Sequence, residues 1–149
     1  METGVGRAGV GTGRFETFEH GADVGVRGYG ASAAEAFEEA ARALASVVVD
    51  LGTVEQDCEV DIECCAEDLE LLLLDFLNEL VFQMSAHGLV FTCFEVRIDG
   101  LHLRARAFGE RVELARHQPA VEVKAATCTE LRVTQREDGQ WIAQCVVDV

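Results

Sequence analysis

The sequence predicts an α+β fold in which two long helices pack on a mostly antiparallel sheet as a two-layer sandwich, and three observations lead there. Two stretches, 33–48 and 67–84, carry apolar residues at helical spacing. Asp99-Gly100 falls between two runs that alternate apolar and polar residues, the pattern of a two-residue hairpin turn. The helical stretches are set apart from the hairpins instead of following every strand, which favours segregated helices over an alternating parallel sheet.

Taken in order, residues 1–13 are glycine-rich and are expected to form a flexible tail, leaving 14–149 as one domain. A short strand from about residue 14 leads into a loop at 20–23, and a glycine-studded strand follows over 24–30. Ser32-Ala33-Ala34-Glu35 is a capping box, with hydroxyl and carboxylate three positions apart to satisfy the free amides of a helix start. Phe37, Ala40, Ala41, Leu44, Val47 and Val48 then give the first helix its apolar face. Residues 57–65 alternate Cys58, Val60, Ile62 and Cys64 with acidic residues, predicting a strand with one buried face and one acidic face. The second helix holds Leu69, Leu72, Leu73, Phe76, Leu77, Leu80, Val81 and Met84 in one stripe and stops at His87-Gly88. Strands over 90–98 and 101–107 flank Asp99-Gly100, short strands are expected at 121–124 and 131–135, and the last strand spans 141–147 after a loop at 137–140. Pro119 precedes the strand expected at 121, where a missing amide does little harm.

A chain of 149 residues with 49% hydrophobic composition can build its own core. It has no apolar run of transmembrane length and no apolar centre of a signal peptide at its start, so a cytoplasmic location and no membrane partner are expected. Six cysteines without a C-x-x-C pair read as small core residues. The net charge of −15 is unevenly spread, with no Lys or Arg between Arg42 and Arg97. That balance disfavours direct, stable binding of nucleic acid and suits either a basic partner or a solvated face.

Two segments carry the chemistry. Glu19-His20-Gly21-Ala22-Asp23-Val24-Gly25 crowds carboxylates, an imidazole and two glycines between apolar segments. Glu19, His20 and Asp23 suit a proton, a metal or a phosphate-bound cation, whereas a tight turn with a capping Asp gives the same pattern. The chain finishes Val146-Val147-Asp148-Val149, placing a side-chain carboxylate beside the α-carboxylate. If that run ends beside the Asp23 loop, three anionic groups converge, which requires a cation or raised pKa values. Lys124 follows a short apolar stretch, where it can meet a phosphate or carboxylate or stand in solvent. Phosphate-loop, dinucleotide, zinc-protease and serine-hydrolase signatures are all missing.

Phe18-Glu19-His20-Gly21-Ala22-Asp23-Val24-Gly25, Ala34-Glu35-Ala36-Phe37, Phe76-Leu77-Asn78-Glu79-Leu80, Val121-Glu122-Val123-Lys124-Ala125 and the terminus from Trp141 to Val149 together resemble the archease family, in order, from about Arg14 onward. Gly21 replaces a small hydroxyl residue of the family pattern, and Cys128-Thr129 stands where the family commonly has tyrosine and histidine. The resemblance implies an accessory protein and not a stand-alone enzyme. Its implied partner is an RtcB-type RNA ligase of tRNA splicing or RNA repair, whose guanylylation and repeated turnover it promotes, with GTP handled only by the ligase. It also implies a divalent cation, calcium, at Asp23, Asp148 and Val149, with Lys124, His20 and Glu19 approaching the ligase. A chaperone-like binding module and a metal-dependent phosphoester hydrolase are the alternatives.

Overall fold

The computed structural model describes residues 13–149, so the expected glycine-rich tail lies, but for Gly13, outside the described residues. The chain runs β1 (Arg14–His20), β2 (Asp23–Gly30), α1 (Ala33–Val48), a 3-10 turn (Leu51–Thr53), β3 (Cys58–Cys65), α2 (Leu69–His87), β4 (Leu89–Asp99), β5 (His102–Arg111), α3 (Leu114–His117), β6 (Ala125–Ala126), β7 (Arg132–Gln135) and β8 (Trp141–Asp148). The α+β class, the two long helices and the antiparallel pairing are as expected. The strands divide between two sheets, a five-stranded one ordered β1-β2-β8-β6 with β7 also paired to β8, and a three-stranded one ordered β3-β5-β4.

The first helix begins where the sequence says it should, and the second begins two residues after the expected 67, each for local reasons. The Ser32 hydroxyl accepts from the Glu35 amide, and the Glu35 carboxylate accepts from the Ala31 amide, so the reciprocal cap closes one residue earlier than the usual box. In α2 the Asp68 side chain accepts from the Leu71 amide, which starts the helix after Asp68, and Gly88 ends it in the left-handed region. Leu72, Leu73, Phe76, Leu77, Leu80 and Val81 are buried, and the Phe76 ring stacks on Phe37 of α1 with centroids 6.3 Å apart. Each helix touches both sheets, so the core lies where the helices and the inward sheet faces meet.

Two close approaches position the strands. Gly28 lies under α1, where an added Cβ would stand 2.2 Å from the Ala36 carbonyl oxygen and 2.2 Å from the Ala40 nitrogen. Along the other sheet, α1 runs beside β4, and the Glu38 carboxylate accepts from the outward Val96 amide at 2.8 Å. That bond satisfies an edge donor which would otherwise face open space.

The structure corrects four expectations. Residues 121–124 are not a strand: Val123 is buried, Val121 is exposed, and pairing starts only at Ala125 opposite Asp148. The alternation there matches an extended chain with no neighbour beside it until β8 arrives. The second hairpin turns at Gly100-Leu101, because Asp99 pairs with His102, and this puts the one positive φ on the first turn residue. Of the cysteines only Cys145 is buried, whereas Cys58, Cys65 and Cys128 are exposed. Finally, the alternation in β3 buries Ile62 fully but leaves Val60 and Cys64 half-covered, as befits the last strand of a sheet.

Candidate functional site

The β1–β2 hairpin closes through a two-residue turn, with His20 paired to Asp23 and a positive φ at Gly21 but not at Ala22. A glycine at the first position of such a turn matches the right-handed twist of the flanking strands. On its other side β2 pairs with β8, placing Gly25 opposite Val146 and Val24 opposite Val147. One step further, the same register sets Asp23 across from Asp148. Directly opposed antiparallel residues share a face, so both carboxylates leave the sheet on the side opposite α1, together with Arg27 and Gln144. The Val149 amide donates to Asp23 Oδ1 at 3.3 Å, bringing the chain terminus onto the same carboxylate.

Lys124 enters from the opposite direction. Its amide donates to the Asp148 carbonyl at 2.7 Å, and β6 starts one residue later, so the only lysine of the chain flanks the terminus. Its side chain is exposed and makes no ion pair among the described residues. His20 shares the Asp23 face by its pairing. Glu19 pairs with Val24 and therefore points to the other face from Asp23 and His20.

The strands beneath this end are tied across. Arg27 donates to Glu16 of β1 and, at 2.8 Å, to Gln144 of β8, while its guanidinium lies over the Phe18 ring. The Tyr29 hydroxyl also donates to Glu16, and this bond, with the Arg27 bond next in weight, holds the Glu16 carboxyl below its usual range. The β1, β2 and β8 strands that carry His20, Asp23 and Asp148 are thus fixed to one another by charged bonds within the same sheet face.

The Asp23 and Asp148 side chains and the terminal carboxylate offer only oxygen donors, the chemistry that a hard divalent cation of the calcium type takes. Such an ion takes about six to eight oxygens, so this set leaves positions open to water or to a partner. Among the described residues no group of three or more His, Cys, Asp or Glu side chains is placed to hold a metal, so the fit depends on the terminal carboxylate. Neither shifted thiol is poised as a nucleophile: burial pushes Cys145 up to about 12, and burial followed by the Asp75 and Glu79 carboxylates pushes Cys64 up to about 11.

A second charged cluster lies away from this end and was not foreseen from the sequence. Glu110 is buried at the end of β5, and the short helix α3 folds back on it. Its carboxylate accepts two bonds from the Arg116 guanidinium, one from the Glu55 amide and one from His117 Nε2. The Glu113 amide donates to His117 Nδ1, so that nitrogen carries no proton and Nε2 is the donor to Glu110. The Arg116 bonds, then the Glu55 amide, hold the Glu110 carboxyl at about 2 against its ordinary 4.5. A folded-state pKa below the unfolded one stabilises the fold above pH 4.5, and this contribution fades as pH falls from about 4.5 toward 2. Unfolding midpoints measured across that window should fall less steeply for Glu110→Gln than for wild type, and parallel curves would refute the assignment.

Comparison with known proteins gives three further findings. Residues 15–149 match the model of the archease protein family. The chain is 44% identical over 140 residues to protein archease of Pyrococcus furiosus and 46% identical over 142 residues to that of Thermococcus gammatolerans, covering 91% of this chain and 99% of each relative. The solution structure of Methanobacterium thermoautotrophicum protein 1598 superposes with a TM-score of 0.80 at 36% identity, over 91% of this chain and 98% of that one. The crystal structure of a Thermotoga maritima archease, described as a possible chaperone, shares the fold with a TM-score of 0.61 at 22% identity, over 90% of this chain and 96% of that one.

Proposed function

Because this chain belongs to the archease family, we propose that it is an accessory protein that activates an RtcB-type RNA ligase in tRNA splicing or RNA repair, promoting guanylylation and repeated turnover of that enzyme. The reading rests on one observation above the others: Asp23, Asp148, the Val149 terminus and the Lys124 amide lie at one end of the five-stranded sheet, where Gly21, Ala22 and Asp148 are exposed while Val149 packs partly against the core. An end of this kind can enter another protein's cleft without disturbing its own fold. Asp23, Asp148 and Val149 would hold the divalent cation, which supplies charge neutralisation for phosphate oxygens when bound. Lys124 adds a positive charge beside the same point, and His20 a donor or acceptor on the Asp23 face. The chain itself contributes positioning and charge; GTP and the nucleophile belong to the ligase.

The test is ligase guanylylation with GTP under multiple turnover, with and without this protein. Stimulation by substoichiometric protein supports the proposal. A folded protein that leaves the ligase unchanged while binding many unfolded chains indicates a chaperone-like module instead, and turnover of a phosphoester without any partner indicates a hydrolase.

A further inference from the structure

We infer that the open edge of β3 and the adjoining stripe of α2 form a docking groove for an extended, basic segment of a partner protein, which adds to the three-stranded sheet as a fourth strand. Among the described residues β3 ends its sheet, with β5 on one side and no strand on the other. The Ala66 amide donates to the Leu101 carbonyl, which extends the β3–β5 ladder by one rung. Hydrogen-bonded residues alternate in an antiparallel pair, so the even-numbered positions face β5. The backbone groups of Glu59, Asp61 and Glu63 therefore point to the open edge.

Alongside the end of this strand, Asp75, Asn78, Glu79 and Phe82 of α2 recur at helical spacing and bound a shallow groove of about 460 Å³ with Glu63 and Cys64. A groove between a strand edge and a helix is a recurrent way to hold an extended peptide, with backbone bonds giving affinity and the flanking side chains giving selectivity. Phe82 is 53% exposed and offers the groove an aromatic surface for an aliphatic stem or a cation.

Charge decides the occupant. Glu63 is already paired with His102 and Arg104, but Asp75 makes no ion pair among the described residues and Glu79 meets only the neutral Gln83 amide. No Lys or Arg occurs between Arg42 and Arg97, so the chain does not neutralise the groove from its own neighbouring sequence. Burial is the main cause that raises the Cys64 thiol, and the Asp75 and Glu79 carboxylates add to it. A second copy of β3 is the poorer occupant, because it would bring further Glu and Asp to an edge whose Glu59 and Glu63 are already matched by Arg106, Arg104 and His102 and would leave Asp75 and Glu79 without a basic partner. Through Asn78, whose side chain exchanges two bonds with the Ala126 backbone, the groove adjoins the strand paired with Val147 and Asp148, but its test requires neither a metal nor the ligase.

The probe is a capped peptide of about eight residues alternating Lys and Val, titrated into the isotope-labelled full chain by amide NMR. Shifts confined to 59–65 and 75–82, with slowed amide exchange at Glu59, Asp61 and Glu63, are expected. Alternating Lys and Pro keeps the charge but removes half the peptide's donors, and should bind about tenfold more weakly or worse. Asp61→Pro, which removes one outward amide from an edge where proline is tolerated, and the double change Asp75→Asn with Glu79→Gln should each weaken the Lys and Val peptide to a similar degree. Equal binding of both peptides, or binding unaffected by either variant, means charge attraction without strand addition and overturns the inference, as does failure of the Lys and Val peptide to bind.

Discussion

Replacing Asp23 with alanine is expected to leave a folded protein that no longer stimulates the ligase, a loss of about 100-fold or more in the multiple-turnover guanylylation assay. The structural cost is small, because the one bond lost within the chain is that from the Val149 amide, worth about 1 kcal/mol. The functional cost is large, because Asp23 is both an anionic oxygen donor and the acceptor that seats the terminus beside Asp148. Asp23→Asn separates these roles: it retains an acceptor for the Val149 amide while removing the charge. If the charge carries the function, Asn behaves like Ala. If seating the terminus is what matters, Asn restores most of the stimulation, and the cation is no part of the mechanism. Stimulation that survives intact in a folded Asp23→Ala protein would refute the proposed site altogether.

Gly28→Ala is expected to lower stability by about 3 kcal/mol, read as a drop in the denaturation midpoint at unchanged m-value. The obstruction is backbone on both sides: the new methyl group would meet the Ala36 carbonyl and the Ala40 amide of α1, atoms that cannot rotate away. Relief requires α1 to lift from β2, and Phe37, Ala40 and Leu44 lose packing with it. The close contact also bears on the site, since β2 carries Asp23 at its far end. A variant of wild-type stability would mean that α1 sits further from the sheet than the structure places it.

The elements legible in the sequence are those whose signals are local. The bounds of α1 follow from Ser32 and the apolar face, and the end of α2 from Gly88, whereas its start at Leu69, after the Asp68 cap, falls two residues after the expected 67. Where a long-range partner decides the outcome, the sequence misleads. Val121 and Val123 alternate like a strand, yet the first bond to β8 comes only from the Lys124 amide and the paired ladder starts at Ala125. Glu110 stands beside Arg111 in what reads as a solvated charged end, and it is buried only because Arg116 and His117 of α3 fold back onto it. The division into two sheets is equally silent, since β3 reaches β5 across α2 and β4. At the candidate site, Asp23 and Asp148 were separately conspicuous, but their meeting depends on pairing β2 with β8 across almost the whole chain. Glu19 lies on the other face from Asp23 for a simpler reason, that neighbours in a strand face opposite ways.

The packing of α1 along β4 reaches further than the one Val96 amide that Glu38 satisfies. With α1 lying along β4, the three-stranded sheet keeps a single free side, so its valence for strand addition is one. A partner strand that docks on β3 fills that valence and leaves no second site from which the array can propagate. Removing the Glu38 carboxylate would leave the Val96 amide without its acceptor, but α1 would still cover that border and the valence would stay at one.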